Sequence, residues 1–180
     1  MPGTAGLVLA AGEGRRFGGP KAPFELDGER LVDRAVRVLR EGGCDPVYVV
    51  LGAWQGDVPG ARVVLNPDWQ QGMGSSLRTG LATLTGPAGI DRVVITLVDL
   101  PGLTGVAVAR LVTSPARIAQ ACFAGERGHP VVLGSEHWTG VIDAARGDRG
   151  ARDYLRAHAD DVTLVEVGDV ASGEDLDEPR

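Results

Sequence analysis

Leu9-Ala10-Ala11-Gly12-Glu13-Gly14-Arg15-Arg16-Phe17-Gly18-Gly19-Pro20-Lys21 continues an apolar run that begins at Leu7, and its reading decides the fold. Leu7 to Ala11 is unbroken and apolar, the pattern of a parallel strand covered on both faces. The glycines behind it let the backbone approach a ligand closely and turn N–H groups toward an anion. Arg15, Arg16 and Lys21 add positive charge in a chain whose net charge is −6. A polyphosphate is the natural guest of such a loop; a glycine-rich surface turn without a ligand is the plain alternative. Two commoner phosphate loops do not fit. A P-loop needs Gly-Lys-Ser/Thr opening a helix, whereas Pro20 separates Gly19 from Lys21 and Ala22-Pro23 follows. A dinucleotide fingerprint needs G-x-G-x-x-G directly before a helix. Here the third glycine is displaced to Gly18, and the second strand ends in Leu51-Gly52 with no acidic residue for a ribose.

Outward from this loop, short apolar runs alternate with helical patterns. Leu31, Ala35, Val38 and Leu39 recur at helical spacing and stop at Gly42-Gly43. Val47–Leu51 and Val63–Leu65 read as the second and third strands. Ser75 or Ser76 can cap a helix carrying Leu77, Leu81 and Leu84 on one face. Val93–Val98 is the strongest buried strand and runs straight into Asp99. Thr104 can cap a helix through Val112, and Asp148 one that carries Ala151, Tyr154, Leu155 and His158. Ala116–Phe123 and Pro130–Leu133 are weaker strands, and Val162–Val167 closes the pattern. The alternation predicts one α/β domain over residues 1–180, a three-layer Rossmann-like sandwich around a mostly parallel sheet. The acidic tail from Gly173 is expected to be loose.

Composition narrows the function. Eighteen basic against twenty-four acidic residues argue against nucleic acid or an anionic membrane as partner. No apolar run approaches the ~20 residues of a membrane span, and the N-terminus has no basic segment of a signal peptide, so a cytoplasmic location is expected. Cys44 and Cys122 lack metal-ligand spacing and read as structural thiols.

In an open α/β sheet, ligands gather outside the carboxyl ends of the strands. The glycine loop and Asp99 both sit there. Mg²⁺ takes one or two carboxylates plus phosphate oxygens, which makes Asp99 the candidate ligand; an aspartate opening the turn at Pro101 is the bland alternative. Trp69 can stack on a ligand or anchor its loop. His129 stands at a strand entrance where a second substrate could meet it, while His137 and His158 read as surface residues.

The segment from Leu9 to Lys21 resembles the signature L-A-[AG]-G-x-G-x-R-[FM]-G…P-K of nucleotidyltransferases with a GT-A-like fold. The chain resembles the MobA-like group within them, and most closely the molybdenum cofactor cytidylyltransferases. Asn66-Pro67-Asp68-Trp69, Gly72-Met73-Gly74-Ser75-Ser76-Leu77-Arg78, Val98-Asp99-Leu100-Pro101, Gly128-His129-Pro130 and Gly147-Asp148-Arg149-Gly150-Ala151-Arg152 extend the likeness in order along the chain. The resemblance implies a Mg²⁺-dependent enzyme that moves a nucleotidyl group from an NTP to a phosphorylated acceptor, with Arg16, Lys21 and Asp99 catalytic. Leu9, Ala10, Ala11, Gly12, Gly14, Lys21, Gly74, Ser75 and Ser76 would hold the nucleotide. Alanine at the position of Ala11 goes with cytidylyl and glycine with guanylyl transfer, which favours CTP. The acceptor implied is molybdopterin, its contacts expected in loops such as Leu103–Arg110 and Gly134–Asp148, with a molybdoenzyme or its chaperone as a downstream partner. A second magnesium carboxylate is implied in a late D-[IV]-D-T-P motif; Asp175-Leu176-Asp177-Glu178-Pro179 is similar, with Leu176 for the branched residue and Glu178 replacing threonine, making Asp177 the candidate. Guanylyl or sugar-phosphate transfer, an oxidoreductase of the same fold, and a non-catalytic nucleotide-binding protein remain as rivals.

Overall fold

The structure is a computed structural model that describes residues 2–179. Along the chain run β1 (Gly3–Ala10), a short hairpin of β2 (Glu25–Leu26) and β3 (Glu29–Arg30), α1 (Leu31–Glu41), β4 (Val47–Leu51) and β5 (Arg62–Leu65). There follow α2 (Met73–Leu84), β6 (Ile90–Leu97), α3 (Gly105–Thr113), β7 (Ile118–Phe123), β8 (Glu126–Gly134), α4 (Trp138–Ala144), α5 (Arg152–Ala157) and β9 (Val162–Glu166). Seven strands form one sheet in the order β5-β4-β1-β6-β8-β7-β9. The pairs β4–β5, β1–β4, β1–β6 and β7–β9 are parallel, while β8 runs antiparallel to both β6 and β7. The sheet is therefore mostly parallel, as expected.

Alternation along β1 explains the three layers. Val8 and Ala10 face a cluster with Val32, Val36 and Leu39 of α1 and with Ala107, Val108 and Leu111 of α3. Ala5, Leu7 and Leu9 face the opposite cluster with Leu77, Leu81 and Leu84 of α2, Val141 of α4 and Leu155 of α5. A strand buried on both sides in this way must be apolar throughout, which is why Leu7 to Ala11 shows no polar alternation. Cys44 and Cys122 are free and buried, and burial pushes the Cys44 thiol up to about 12.

Local chemistry departs from expectation in three places and meets it at Thr104. Helix α2 starts at Met73 with Gly72 as its cap; Ser75 and Ser76 lie inside the helix and buried, so neither caps it. Asp148 caps nothing, because α5 begins four residues later with Ala151 at its N-cap and no side-chain bond there. Thr104 does cap α3, its Oγ1 accepting from the Ala107 amide at 3.2 Å. Residues 138–144, read as part of a variable loop, form α4, whose Trp138 is buried and donates from Nε1 to the Leu133 carbonyl.

The tail is docked. Leu176 is 2% exposed and packs with Phe17 and Leu31, while its amide donates to the Asp99 carbonyl at 2.9 Å. The Ser172 amide donates to the Gly102 carbonyl. One buried leucine thus overrides the acidity of its neighbours. Truncation by Leu176→Ala removes an apolar anchor of a kind that contributes about 2–4 kcal/mol. The expected outcome is fast amide exchange from Ser172 to Glu178 with the central sheet still protected; unchanged protection of the tail would contradict this docking.

Candidate nucleotide and acceptor site

The chain leaves β1 for β4 on one side and returns as β6 on the other, with Leu9 level with Leu97 in the parallel register. The crevice between the ends of β1 and β6 is a topological switch point, where connections diverge and leave room for a ligand. A cavity of about 470 Å³ opens there. Leu9, Ala10, Ala11, Gly12, Gly14, Lys21, Ser76 and Asp99, all inferred from sequence, line it; so do Glu13, Arg15, Trp69 and Asp148.

The glycine loop is shaped from within. Gly14 adopts φ +63°, and its carbonyl accepts from the amides of Gly18 and Gly19 at 2.9 and 3.0 Å. A Cβ at Gly14 would lie 1.9 Å from the Gly19 carbonyl oxygen, so this glycine closes the loop. Gly12 differs: a Cβ there would meet nothing within 4 Å. Among the described residues the Gly12, Glu13 and Arg15 amides donate to no protein acceptor. They are free for an anion. Arg15 is on the cavity wall and paired with Glu13, whereas Arg16 is exposed and off the wall.

Across the crevice Lys21 Nζ donates to Asp99 Oδ2 at 2.9 Å, both side chains about one-fifth exposed (18% and 20%). Lys21 is the only lysine of the chain. Near Asp99, burial first and then the carboxylates of Asp99 and Asp177 push the Asp175 carboxyl above its ordinary range, with Lys21 opposing. Asp177 is exposed and lines neither cavity.

The start of α2 forms the facing wall through Gly72, Met73 and Ser76. Gly74 and Ser75 stand behind it. The Gly74 amide donates to the Gly147 carbonyl at 2.7 Å, and Ser75 Oγ donates to the carbonyls of Asp68 and Gly72. Asn66, which sequence reasoning quoted without a role, donates from Nδ2 to both Ser75 and Ser76 Oγ at 2.9 and 3.0 Å. Its burial, at 2%, beside two hydroxyls explains why a polar Asn-Pro opens this turn. Trp69 anchors the turn against Gly52, where a Cβ would come within 2.6 Å of it, and also reaches the cavity wall.

A second cavity of about 610 Å³ adjoins the first and shares Leu9, Met73, Leu97 and Asp148 with it. Its floor is apolar, with Leu77, Ile95, Val131 and Leu155, and its rim carries Arg127, Arg149, Arg152 and Arg156. His129 lines it too; burial holds the imidazole below its ordinary range, with Asp99 nearby opposing. Of the loops expected to meet an acceptor, only the end of Gly134–Asp148 arrives here. Residues from Gly105 to Arg110 belong to α3, whose Ala107 and Val108 pack with α1 on the other face of the sheet.

Two outcomes follow from these positions. Gly12→Ala keeps the fold and the thermal midpoint, because the new methyl meets only solvent, yet weakens triphosphate binding tenfold or more by calorimetry, about 1.4 kcal/mol. Equal affinity would show that no ligand approaches Gly12. His129 has a lowered pKa in the fold, so the unfolded chain takes up the proton first. The stability its neutral form contributes is present above about pH 6.5 and is lost as pH falls. Unfolding midpoints between pH 7 and 5 are expected to fall more steeply for the native protein than for His129→Gln; parallel curves would refute it.

Comparison with known proteins agrees with this geometry. The family model of the MobA-like NTP transferase domain matches residues 6–162. Nicotine blue oxidoreductase of Paenarthrobacter nicotinovorans is 37% identical over 98% of this chain and 93% of its own. A probable molybdenum cofactor guanylyltransferase of Opitutus terrae is 57% identical over 51 residues, 28% of this chain and 25% of the relative. Among solved structures, Rv0371c of Mycobacterium tuberculosis H37Rv superposes with a TM-score of 0.82 at 26% identity, covering 98% of this chain and 93% of that one. A further structure of that protein is described as a complex with manganese, with a TM-score of 0.74, 23% identity and coverage of 92% and 88%. With more than four-fifths of its length inside the family model, and the loop, Lys21 and Asp99 gathered at one crevice, the chain belongs to the MobA-like NTP transferases.

Proposed function

We propose that this chain transfers a nucleotidyl group from an NTP, with CTP as the donor, to a phosphorylated acceptor, and releases pyrophosphate. The observation that carries the reading is the cavity in which free loop amides face the Lys21–Asp99 pair. The open amides of Gly12, Glu13 and Arg15 suit the triphosphate, and Arg16 extends the positive charge of the loop outward. Lys21 is placed to leave Asp99 for the α-phosphate and to neutralise the charge that builds there; nucleotidyl transfer needs positioning and charge stabilisation more than covalent help. The base lies between Ala11 and the start of α2, where Ser76 Oγ can reach it and Gly74 and Ser75 hold the wall behind.

The donor set fits magnesium. Asp99, with the Asp175 carboxyl close enough to be raised by its charge, supplies hard oxygens of one charge. Among the described residues no three metal-ligating groups converge, so phosphate oxygens of the substrate must complete the shell. Asp99 would hold the ion and Asp177 is the candidate second carboxylate. When bound, Mg²⁺ supplies charge neutralisation at the phosphates. The acceptor phosphate attacks the α-phosphorus, the bond to the pyrophosphate oxygen breaks, and no protein nucleophile is used. Molybdopterin is the proposed acceptor and the cytoplasm the proposed location; a molybdoenzyme or its chaperone would then receive the product. Ala11 lines this cavity and supports CTP, because the resemblance pairs alanine at this position with cytidylyl transfer.

Two other readings have an observation behind them. The name of the Opitutus relative favours GTP, and that of the Paenarthrobacter relative favours an oxidoreductase. Against the second, β1 leads into turns and the β2–β3 hairpin, not into the helix that a dinucleotide loop requires.

The test incubates the protein with Mg²⁺, molybdopterin and each NTP, and measures pyrophosphate. Release is expected with CTP above GTP, falling a hundredfold or more in Asp99→Ala and Lys21→Met. Release with none of the four, or release indifferent to Asp99→Ala, would overturn the reading; reduction of nicotine blue by NADH or NADPH instead would establish the oxidoreductase.

A further inference from the structure

Arginine in this chain is almost always tied down. Most of the described arginines form ion pairs, as Arg37 does with Glu29 and Arg117 with Asp91 and Glu136, or bond to backbone carbonyls, as Arg92 does near α3. Arg62 instead bonds to the Tyr48 hydroxyl, and four described arginines make no such contact at all: Arg16, Arg127, Arg152 and Arg156. Arg16 belongs to the phosphate loop. The other three all line the second cavity, where Arg149 joins them with only a long 3.4 Å contact to Asp153. A chain of net charge −6 has carboxylates to spare, yet among the described residues none pairs with these three. The acidic side chains of this cavity, Asp148 and Asp175, lie toward the first cavity: Asp148 is on the wall common to both, and Asp175 is close enough to Asp99 to feel its charge.

We propose that Arg127, Arg152 and Arg156 form an anion-recognition subsite for the acceptor. It selects acceptors that carry a further anionic group at the end remote from the reacting phosphate. The inference rests on the proposed transfer reaction only for the word acceptor. The reacting phosphate has to lie beside Asp99 and Lys21, which line the first cavity and not the second. The three arginines line the second and not the first, so the charge they meet is a different one. Guanidinium groups bind phosphate or carboxylate oxygens two at a time and lie flat against planar rings. The floor of Leu77, Ile95, Val131 and Leu155 suits the apolar body of the same molecule. Gln120 adds a specific acceptor: its Nε2 donates to the Gly128 carbonyl at 3.2 Å, while its Oε1, buried at the cavity, has no partner.

The test uses the full chain and inorganic phosphate as the probe, read through the arginine Nε–Hε and backbone amide resonances of labelled protein. Phosphate is expected to shift Arg127, Arg152 and Arg156 saturably, and Arg152→Ala/Arg156→Ala to weaken that binding at least tenfold. Both substituted side chains are exposed, and amide spectra of the variant report that the fold is kept. CTP added to the same samples reports on the nucleotide site through the Gly12 to Gly14 amides. Failure of that second titration alone would count against the transfer reaction and leave the subsite standing. Linear shifts spread over every exposed arginine, or equal phosphate affinity in the double variant, would overturn the subsite.

Discussion

The ion pair between Lys21 and Asp99 joins the loop after β1 to the turn after β6, and the rest of the site is arranged around it. The two residues are 78 positions apart, yet their strands are neighbours in parallel register, so the sheet itself brings them together. In a partly buried pair of this kind the cost of desolvation offsets much of the Coulombic gain, so it is a weak source of stability. Its importance is therefore chemical. The Lys21 ammonium balances the Asp99 carboxylate on the side of the crevice where Asp175 lies close enough to feel its charge. In the proposed reaction Asp99 would hold the magnesium ion and Lys21 the phosphates, so substrate binding would part the two side chains.

Such an exchange needs a stiff frame. Two apolar clusters clamp the sheet, one under α1 and α3 and one under α2, α4 and α5. Packing at both faces of β1 leaves its end little freedom, so the loop begins from a fixed point. Gly14 then closes the loop on Gly18 and Gly19, and Asn66 with Ser75 and Ser76 braces the opposite wall. Leu176 seats the tail on the Asp99 carbonyl, which fixes this segment beside the turn after β6. Stability and site geometry come from the same contacts.

Much of this was legible in residues alone because the signals were local. Leu7–Ala11 and Val93–Val98 read as strands from their apolar runs, and glycines beside Arg15, Arg16 and Lys21 mark the loop that the structure sets at the cavity. What escaped depends on contacts between distant segments. Ser75 and Ser76 look like caps until Asn66 is seen to hold both hydroxyls. The tail looks disordered by charge until Leu176 finds Phe17 and Leu31. Helix α4 has only seven residues, one of them glycine, and is held by the burial of Trp138 and Val141 rather than by propensity. Arg127, Arg152 and Arg156 lie within or beside the Gly128-His129-Pro130 and Gly147–Arg152 stretches, but only the fold shows that they share a cavity.

Because Lys21 is the only lysine, protein labelled with ¹³C-lysine gives a single side-chain Cε–Hε resonance. Titration with magnesium-CTP measures directly whether this ammonium leaves Asp99 for the nucleotide. The account predicts a saturable shift with magnesium-CTP, absent with cytidine and absent in Gly12→Ala at the same concentrations. A Lys21 resonance that stays fixed while magnesium-CTP binds elsewhere on the protein would contradict it.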